Sequence, residues 1–337
     1  MVTQRGYSVA VAGATGAVGR EMVAILAQRR FPVRALTLFA SERSAGKLLP
    51  FGRRRVRVAP LVPGCFADVD IALFAVSSGL ARAWAPRAVA EGATVIDNSS
   101  AYRMDPGIPL IVPEVNGHRI PRPRRPGIIA NPNCTAAILL MALKPLHDAA
   151  GLVRVIVSSY QAASGAGAEG IAELEGQLRS WAAGRRVPAR VFPHPLAFNV
   201  IPHIDAFTES GFTKEELKIA QEARKILELP GLAVTATAVR VPVIRAHSES
   251  VYVETSRKIT AERAREVFSR FPGLRVLDDP RRKAYPMPLK VGGMDACMVG
   301  RIREDLHTPN ALNFWVVGDQ LRKGAALNAV QIAERLV

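Results

Sequence analysis

Short apolar segments and helical patterns alternate along the first third of the chain. Segments rich in β-branched and apolar residues predict strands, and apolar positions spaced three and four residues apart predict the helices between them. The predicted strands are residues 7–12, 35–40, 70–76 and 94–97, and the predicted helices are residues 19–29 and 84–91. Because the strand over 70–76 is apolar on both faces, we predict a parallel sheet covered by helices on both sides.

The pattern changes near residue 130, where longer segments begin. Val251-Tyr252-Val253-Glu254 alternates apolar and polar positions, which is typical of a strand with one solvent face. The predicted strands are residues 152–161, 233–243, 250–257, 296–303 and 312–317, and the predicted helices are residues 168–183, 213–227 and 260–270. We therefore predict an α+β domain over residues 133–319 with a mainly antiparallel sheet. Residues 1–132, completed by a returning helix over 320–337, form the first domain.

Composition narrows the class of protein without changing this picture. The 337 residues are 49% hydrophobic and 22% charged, a balance typical of folded globular domains. The apolar stretch 136–143 is too short to span a bilayer, and residues 1–7 contain no apolar core of a secretory leader. We expect no membrane partner and a cytoplasmic location.

The charge and the cysteines exclude other classes. The net charge is +16, and basic residues form dense runs only at residues 53–57 and 122–125; neither run carries interleaved aromatic side chains for stacking on bases. We therefore expect solvated surface arginines and no nucleic-acid partner. Three cysteines without a CxxC spacing predict neither a disulfide framework nor a metal site.

A glycine-rich turn follows the first predicted strand and leads into the first predicted helix. Its spacing, GxxGxxG over residues 13–19, lets the backbone turn tightly and bring the free N–H groups of a helix N-terminus to a pyrophosphate. Between a strand and a helix, the turn indicates a Rossmann-like nucleotide-binding domain. The candidate cofactor contacts are Gly13, Thr15, Gly16, Ala17 and Val18.

The end of the second predicted strand bears on the choice of cofactor. NAD enzymes usually place an acidic residue there to accept the ribose 2′-hydroxyl, whereas this chain has Ser41, Arg43 and Ser44. Arginine and serine suit a 2′-phosphate, which favours NADP. Glu42 is the alternative, since it could accept the hydroxyl of NAD.

Cys134 begins an apolar predicted helix after the segment Asn131-Pro132-Asn133. A cysteine in the first turn of a helix faces the positive end of the dipole, which favours the thiolate. A capped helix with an unreactive cysteine is the alternative, because Asn133 is also a good cap. A thiol nucleophile needs a base, and His247 follows a predicted strand together with Arg240. Gln161 ends another strand and is placed to bind a carbonyl oxygen.

These residues lie in segments that resemble aspartate-semialdehyde dehydrogenases over nearly the whole length. The matching segments are GATGAVG (13–19), RSAG (43–46), VIDNSSAYRMD (95–105), VPEVN (112–116), ANPNC (130–134), SSYQAASGAG (158–167), FNVIPHID (198–205), KEELK (214–218), RVPV with HSESVYVE (240–254) and KGAALNAVQIAE (323–334). Together these motifs are highly specific. The resemblance implies NADPH-dependent reduction of L-aspartyl 4-phosphate to L-aspartate 4-semialdehyde and phosphate, in the biosynthesis of lysine, threonine, methionine and diaminopimelate.

The resemblance also implies a role for each site residue. The implied catalytic residues are the nucleophile Cys134, the acid/base His247 and Gln161. Substrate would be bound by Gln161, Arg240 and Glu215, and phosphate would be bound by Arg103, Lys218 and Asn133. The cofactor would additionally contact Ser164, Gly165 and Gln320. The family often has asparagine at position 320, so the glutamine is a departure. The family further implies a homodimer, with the choice between dimer and tetramer left open.

Two alternatives remain at this point. One is the related reductase of N-acetyl-γ-glutamyl phosphate, which shares the thioester chemistry; the segments 198–205 and 240–247 favour the first family over it. The other is a catalytically silent homologue that acts as a binding subunit. The joint presence of Cys134, Gln161, Arg240 and His247 argues against that role.

Overall fold

The structure, a computed structural model, describes residues 6–337. Most of the segment expected to contain no leader, residues 1–5, lies outside the described residues. The chain divides into two compact units: the first runs to Asn133 and adds Ala325–Val337, and the second is Cys134–Gly324. The division thus falls one residue after the predicted boundary, and the chain re-enters the first unit at residue 325 rather than at 320.

The first unit contains a seven-stranded sheet with helices on both faces. Its strands are β1 (Tyr7–Ala12), β2 (Val33–Ala40), β3 (Leu48–Phe51), β4 (Arg54–Pro60), β5 (Ile71–Phe74), β6 (Thr94–Asp97) and β7 (Gly127–Ala130). Its helices are α1 (Ala17–Gln28), α2 (Ser78–Ala90), α3 (Pro113–Asn116) and, after the second unit, α9 (Leu327–Leu336). Short 3-10 turns lie at Glu42–Ser44 and Gly117–Arg119.

The sheet has the order β3-β4-β2-β1-β5-β6-β7. All its pairs are parallel except β3 with β4, an antiparallel hairpin at the edge. The predicted parallel sheet is confirmed, and the hairpin is an addition to it. Ile71, Leu73 and Ile96 are buried against α1 and α9, while Ala72, Phe74 and Val95 are buried against α2. A strand buried on both faces reads as a continuous apolar run, which is why these strands were visible in the sequence.

The second unit contains a six-stranded mixed sheet. Its strands are β8 (Leu152–Gln161), β9 (Ala233–Arg240), β10 (His247–Thr255), β11 (Leu274–Val276), β12 (Cys297–Glu304) and β13 (Ala311–Gly318). Its helices are α4 (Cys134–Ala150), α5 (Gly167–Ala182), α6 (Lys214–Leu227), α7 (Ala261–Arg270) and α8 (Pro288–Val291), with a 3-10 turn at Ala163–Ala166 and a π-helical turn at Arg322–Ala326 that leads to α9. The sheet has the order β11-β12-β13-β10-β8-β9, in which β8–β9 and β11–β12 are parallel and the other pairs antiparallel.

Sequence reasoning misplaced the strand ends on either side of Arg240 and His247. The prediction extended one strand to residue 243 and began the next at 250, whereas β9 ends at Arg240 and β10 begins at His247. Pro242 explains the first error, because proline has no N–H for a ladder bond. His247 therefore belongs to a strand, paired with Gly318 of β13.

The strand directions bring three segments that are distant in sequence to one end of this sheet, where the strands begin or finish. The parallel strands β8 and β9 end side by side, with Gln161 opposite Arg240. The antiparallel strand β10 begins at the same end of the sheet, where Ser248 lies opposite Tyr160. The carboxyl ends of β8 and β9 and the amino end of β10 therefore meet at this end of the sheet.

Candidate active site

Cys134 and His247 lie together in the second unit. The Sγ atom of Cys134, at the first residue of α4, is 3.5 Å from Nε2 of His247, at the first residue of β10. The histidine is completely buried and the cysteine is partly exposed. A thiol within hydrogen-bond distance of a buried imidazole is the arrangement that thiol nucleophiles use.

The main chain of Ala162 determines which nitrogen of His247 carries the proton. The Ala162 N–H donates to Nδ1 over 3.1 Å. An N–H group can only donate, so Nδ1 accepts, and the neutral ring carries its proton on Nε2, facing the sulfur. Burial lowers the pKa of His247 well below its usual range, and the Arg240 charge lowers it further. His247 is therefore a neutral donor toward Cys134.

Arg240 is held by the same residue. Its Nη1 donates to the Ala162 carbonyl over 2.7 Å, and its guanidinium carbon lies 5.7 Å from the centroid of the Phe192 ring. Burial lowers the pKa of Arg240, whereas the Cys134 thiol and Glu215 act in the opposite direction. Arg240 thus places a positive charge close enough to Cys134 to favour its thiolate form.

Gly165 allows these groups to approach one another. A Cβ atom at this position would lie 2.7 Å from Nη1 of Arg240 and 3.2 Å from Nε2 of His247. The family resemblance assigns Gly165 to the cofactor. The structure adds a reason for glycine, which is the space that Arg240 and His247 occupy.

A polar cluster extends from Gln161 to α6. Nε2 of Gln161 donates to the Ser159 hydroxyl and to Oε1 of Glu215, both over 3.2 Å. Nζ of Lys218 lies 3.8 Å from Oε2 of Glu215 and 2.6 Å from Oδ2 of Asp205. Burial acts to raise the pKa of Asp205, but the Lys218 ammonium and a backbone N–H outweigh it and hold this pKa below its usual range. The predicted residues Gln161, Glu215 and Lys218 therefore form one network.

Gln320 and Ser164 support the turn that leads into His247. Oε1 of Gln320 accepts from the Ala246 N–H over 2.9 Å, and its Nε2 donates to the Ser164 hydroxyl. Ala246 has φ of 74°, a left-handed conformation that is rare for alanine. Both amide ends of Gln320 are thus used within the chain, and they hold the residue that precedes His247.

The glycine-rich turn of the first unit borders a cavity of about 440 Å³. Gly13 has φ of 82°, and a Cβ atom there would collide with the Ala75 carbonyl. The cavity is lined by Gly13, Thr15 and Gly16, by Ala40, Ser41 and Glu42 at the end of β2, and by Pro60, Leu61, Ala75, Val76, Leu80 and Trp84. Ala17 and Val18 begin α1, so its N-terminus follows this turn directly. This fits the nucleotide site predicted from the sequence.

The residues that favoured NADP lie in the 3-10 turn after β2. Ser41 and Glu42 line the cavity, Arg43 is exposed and Ser44 is buried, with its hydroxyl 3.4 Å from Nζ of Lys47. The acidic candidate therefore lines the cavity, and the basic candidate follows it directly in the chain at an exposed position. A larger cavity of about 600 Å³ in the same unit lies along β7, away from the glycine-rich turn, and its lining is mostly proline and aliphatic side chains.

The predicted phosphate ligands are divided between the units. Arg103 and Asn133 are buried in the first unit, and Lys218 belongs to the second. Arg103 donates from Nε to the Asn131 carbonyl and from Nη2 to the Asn98 carbonyl, over 2.9 and 2.8 Å. Its guanidinium is therefore fixed by main-chain acceptors.

Several supporting residues were not predicted. Ala162 acts through its main chain, so its side-chain identity carried no signal. Ser159 and Asp205 lay inside segments quoted for the resemblance, and their partners became visible only with the strand register and the position of α6. Within residues 6–337, no group of three or more His, Cys, Asp or Glu side chains could hold a metal ion, and no helix combines the length and apolarity needed to cross a bilayer.

Both units match models of known families. Residues 8–122 match the NAD binding domain of semialdehyde dehydrogenases, and residues 143–323 match their dimerisation domain. The chain is 50% identical over 334 residues to an aspartate-semialdehyde dehydrogenase from Aquifex aeolicus, with 98% of each chain covered. It is 45% identical over 340 residues to the Bacillus subtilis enzyme of that name, again with 98% of each covered.

Solved structures agree with these matches. The aspartate semialdehyde dehydrogenase II of Vibrio cholerae complexed with ASA has a TM-score of 0.96 and 44% identity, covering 99% of this chain and 98% of that one. The Candida albicans aspartate semialdehyde dehydrogenase with NADP has a TM-score of 0.78 and 25% identity, covering 98% of each chain.

The surroundings of Cys134 predict selective alkylation. Burial raises the pKa of the Cys65 thiol and Glu91 adds to it, and Cys297 is buried, whereas Cys134 lies beside Arg240 and the Nε2–H of His247. Iodoacetamide should therefore label Cys134 at least about tenfold faster than the other two cysteines. Peptide mass spectrometry over a time course measures the three rates. Arg240→Gln should slow the labelling of Cys134 alone, and equal rates at all three cysteines would contradict the assignment.

The buried carboxyl group of Glu249 predicts that the free energy of unfolding decreases as the pH rises. It is completely buried two residues after His247, neither carboxyl oxygen has a hydrogen-bond partner among residues 6–337, and burial raises its pKa well above the usual range. Above about pH 4.3 the unfolded chain releases this proton and the folded chain keeps it, so stability falls by up to about 1.4 kcal/mol per pH unit until the folded pKa is reached.

The variant Glu249→Gln removes this titration. Its melting temperature relative to the native protein should rise steadily between pH 5 and pH 8. Glu254→Gln, at a half-buried position of the same strand, serves as the matched control and should show no such trend. A difference for Glu249→Gln that stays constant with pH would mean that the carboxyl is ionised in the folded protein.

Proposed function

The chain belongs to the aspartate-semialdehyde dehydrogenase family, and we propose that Cys134 carries the reaction as a thioester nucleophile with His247 as its proton donor. The observation that carries this proposal is the distance of 3.5 Å between Sγ and Nε2, together with the Ala162 bond that keeps the proton on Nε2. The same geometry opposes the view of a catalytically silent homologue.

The proposed steps follow from these positions. The Cys134 thiolate attacks the acyl carbon of L-aspartyl 4-phosphate, the carbon–oxygen bond to phosphate breaks, and a thioester forms. The reduced nicotinamide cofactor supplies the hydride that reduces this carbon. The thiohemiacetal then collapses to the aldehyde and returns the thiolate. In the opposite direction, phosphate attacks the thioester.

His247 acts at the oxygen that becomes negative. Its Nε2–H can donate first to the thiolate and then to the oxyanion of the tetrahedral intermediate. A second proton on Nδ1 would face the Ala162 N–H and break that bond, which opposes an imidazolium. His247 thus shares its Nε2 proton through a hydrogen bond, first with the thiolate and then with the oxyanion, and the ring stays a neutral imidazole.

Substrate recognition is assigned to the buried charges around this pair. The planar fork of Arg240 suits the substrate carboxylate, and Glu215 suits the amino group. Gln161 is assigned to the substrate carbonyl; its Nε2 donates to Ser159 and Glu215 and would exchange one of these bonds for the carbonyl oxygen. Lys218 of the second unit and Arg103 with Asn133 of the first are assigned to phosphate.

NADP is the proposed cofactor. The glycine-rich turn, its cavity and the N-terminus of α1 suit a dinucleotide, and Arg43 with Ser41 and Ser44 suits a 2′-phosphate. Ser164, Gly165 and Gln320 complete the proposed cofactor contacts in the second unit. The bonds of Gln320 to Ser164 and Ala246 make it a support for the His247 turn as well.

Self-association and location complete the proposal. The second unit matches a dimerisation domain, and one face of its sheet carries the partly exposed apolar side chains of Ile156, Tyr160 and Trp315. We propose at least a homodimer. The three free cysteines suit a reducing compartment, the cytoplasm.

Turnover of defined variants tests the mechanism. Reduction of NADP by aspartate semialdehyde should require phosphate, and Cys134→Ser should lose nearly all of this activity while keeping the fold. His247→Ala removes the Nε2–H donor that would stabilise the oxyanion, so it should lower kcat about a hundredfold with little change in substrate KM. Cys297→Ser is the control and should stay active. Substantial turnover by Cys134→Ser would exclude the thioester, and turnover of N-acetylglutamate semialdehyde at the same rate would favour the alternative reductase.

Steady-state kinetics with both dinucleotides test the cofactor. Arg43→Ala removes the charge opposite a 2′-phosphate, so it should raise KM for NADP about tenfold and leave KM for NAD almost unchanged. Arg53→Ala, an exposed arginine in the turn between β3 and β4, is the matched control. If the native enzyme uses NAD and NADP equally well, Glu42 rather than Arg43 defines the ribose site.

A further inference from the structure

A buried chain of asparagine side chains links α9 to Arg103 inside the first unit. Nδ2 of Asn328 donates to Oδ1 of Asn131 over 2.7 Å and to the Ile111 carbonyl over 2.8 Å. Nδ2 of Asn131 donates to Oδ1 of Asn98 over 2.8 Å. Asn328 and Asn131 are completely buried, so the bond between them lies in a low dielectric where losing it is costly, whereas Asn98 is partly buried.

This chain ends on the two groups that hold Arg103. The guanidinium donates from Nε to the Asn131 carbonyl and from Nη2 to the Asn98 carbonyl. Two acceptors on different atoms of a planar group define its plane and its direction. Both acceptors belong to residues whose side chains are bonded to each other and, through Asn131, to Asn328.

Other hydrogen bonds hold the main chain of the two segments that contain Asn98 and Asn131. The Asn131 N–H donates to the Asp97 carbonyl over 2.8 Å, and Nδ2 of Asn98 donates to the Phe74 carbonyl over 3.0 Å. These bonds tie both segments to β5 and β6. The side-chain amide of Asn131 is held at both ends: its Oδ1 accepts from Asn328 over 2.7 Å, and its Nδ2 donates to Asn98 and, over a longer 3.4 Å, to the Ala325 carbonyl.

We propose that Asn328 is a positioning residue for phosphate, which orients the Arg103 guanidinium through Asn131 and Asn98. The proposal rests on the phosphate role of Arg103 given above. A guanidinium binds phosphate through parallel N–H bonds, so its value as a ligand depends on its angle. Asn328 touches no reacting atom and acts only through this angle.

The matched control lies one turn later on the same helix. Nε2 of Gln331 donates to Oε1 of Glu114 over 2.9 Å, so Gln331 also attaches α9 to the first unit. Its partner Glu114 is not one of the residues whose carbonyls hold Arg103. Gln331→Ala therefore reports what a weakened attachment of α9 does by itself.

The experiment measures KM for phosphate, aspartate semialdehyde and NADP in the native enzyme and in Asn328→Ala, Asn98→Ala, the double variant, Gln331→Ala and Arg103→Leu. Asn328→Ala should raise KM for phosphate about fivefold, the equivalent of one net hydrogen bond, without a comparable change in KM for NADP. Asn98→Ala should do the same, and the double variant should add little, because both act on one path. The rate of Cys134 alkylation should stay native.

Each other outcome has a definite meaning. If Asn328→Ala shifts all three KM values alike, as a general loosening of α9 would in Gln331→Ala, the positioning role is wrong. If Asn328→Ala slows the alkylation of Cys134 but leaves KM for phosphate unchanged, the positioning role is also wrong, because Asn328 then affects the nucleophile and not the phosphate site. If Asn328→Ala does not fold, Asn98→Ala decides alone. If Arg103→Leu leaves the response to phosphate unchanged, the phosphate role of Arg103 itself fails.

Discussion

The peptide group of Ala162 holds the side chains of both His247 and Arg240. Its N–H donates to Nδ1 of His247 and its carbonyl accepts from Arg240. Both groups are buried, so their hydrogen bonds are directional and costly to lose. The proton position on the imidazole, the place of the positive charge and the direction of the Nε2–H toward Cys134 all depend on this one main-chain residue. It is available for this because β8 ends at Gln161, where the chain turns away from the sheet.

The residues near the Ala162 peptide group show that this arrangement costs folding stability. His247 and Glu249 face the same side of β10 and are both completely buried, and burial shifts both pKa values toward the neutral forms. Arg240 stays charged by stacking on Phe192 and bonding to Ala162. Ala246 is kept in a left-handed conformation by Gln320. A site of this kind trades stability for a fixed geometry, which is common where chemistry needs preorganised groups.

Much of this could be predicted from the sequence, and the limits have physical causes. The strands β1, β5 and β6 are continuous apolar runs, so their positions were clear from the sequence, whereas the short edge strand β3 was not predicted. Cys134 and His247 were paired because a helix N-terminus and a histidine near a strand suit a thiol nucleophile. The Ala162 contacts could not be predicted, since a backbone amide has the same chemistry at every position and only the register of β8 and β9 directs it. The start of β10 at His247 was missed because the polar run His247-Ser248-Glu249-Ser250 lacks the alternation that marked the rest of that strand.

The discontinuity of the first unit has a consequence for how the molecule is made. Its core contains Leu327, Val330 and Ile332 of α9 together with residues of β1 and α1, and these segments are separated by the whole second unit. A ribosome delivers the chain from its N-terminus, and domains generally fold as they emerge. The strands β1 to β7 are therefore synthesised long before α9. Until α9 has left the ribosome, the sheet face that α1 and α9 share is covered by α1 but not by α9, and the apolar area that Leu327, Val330 and Ile332 later bury stays open.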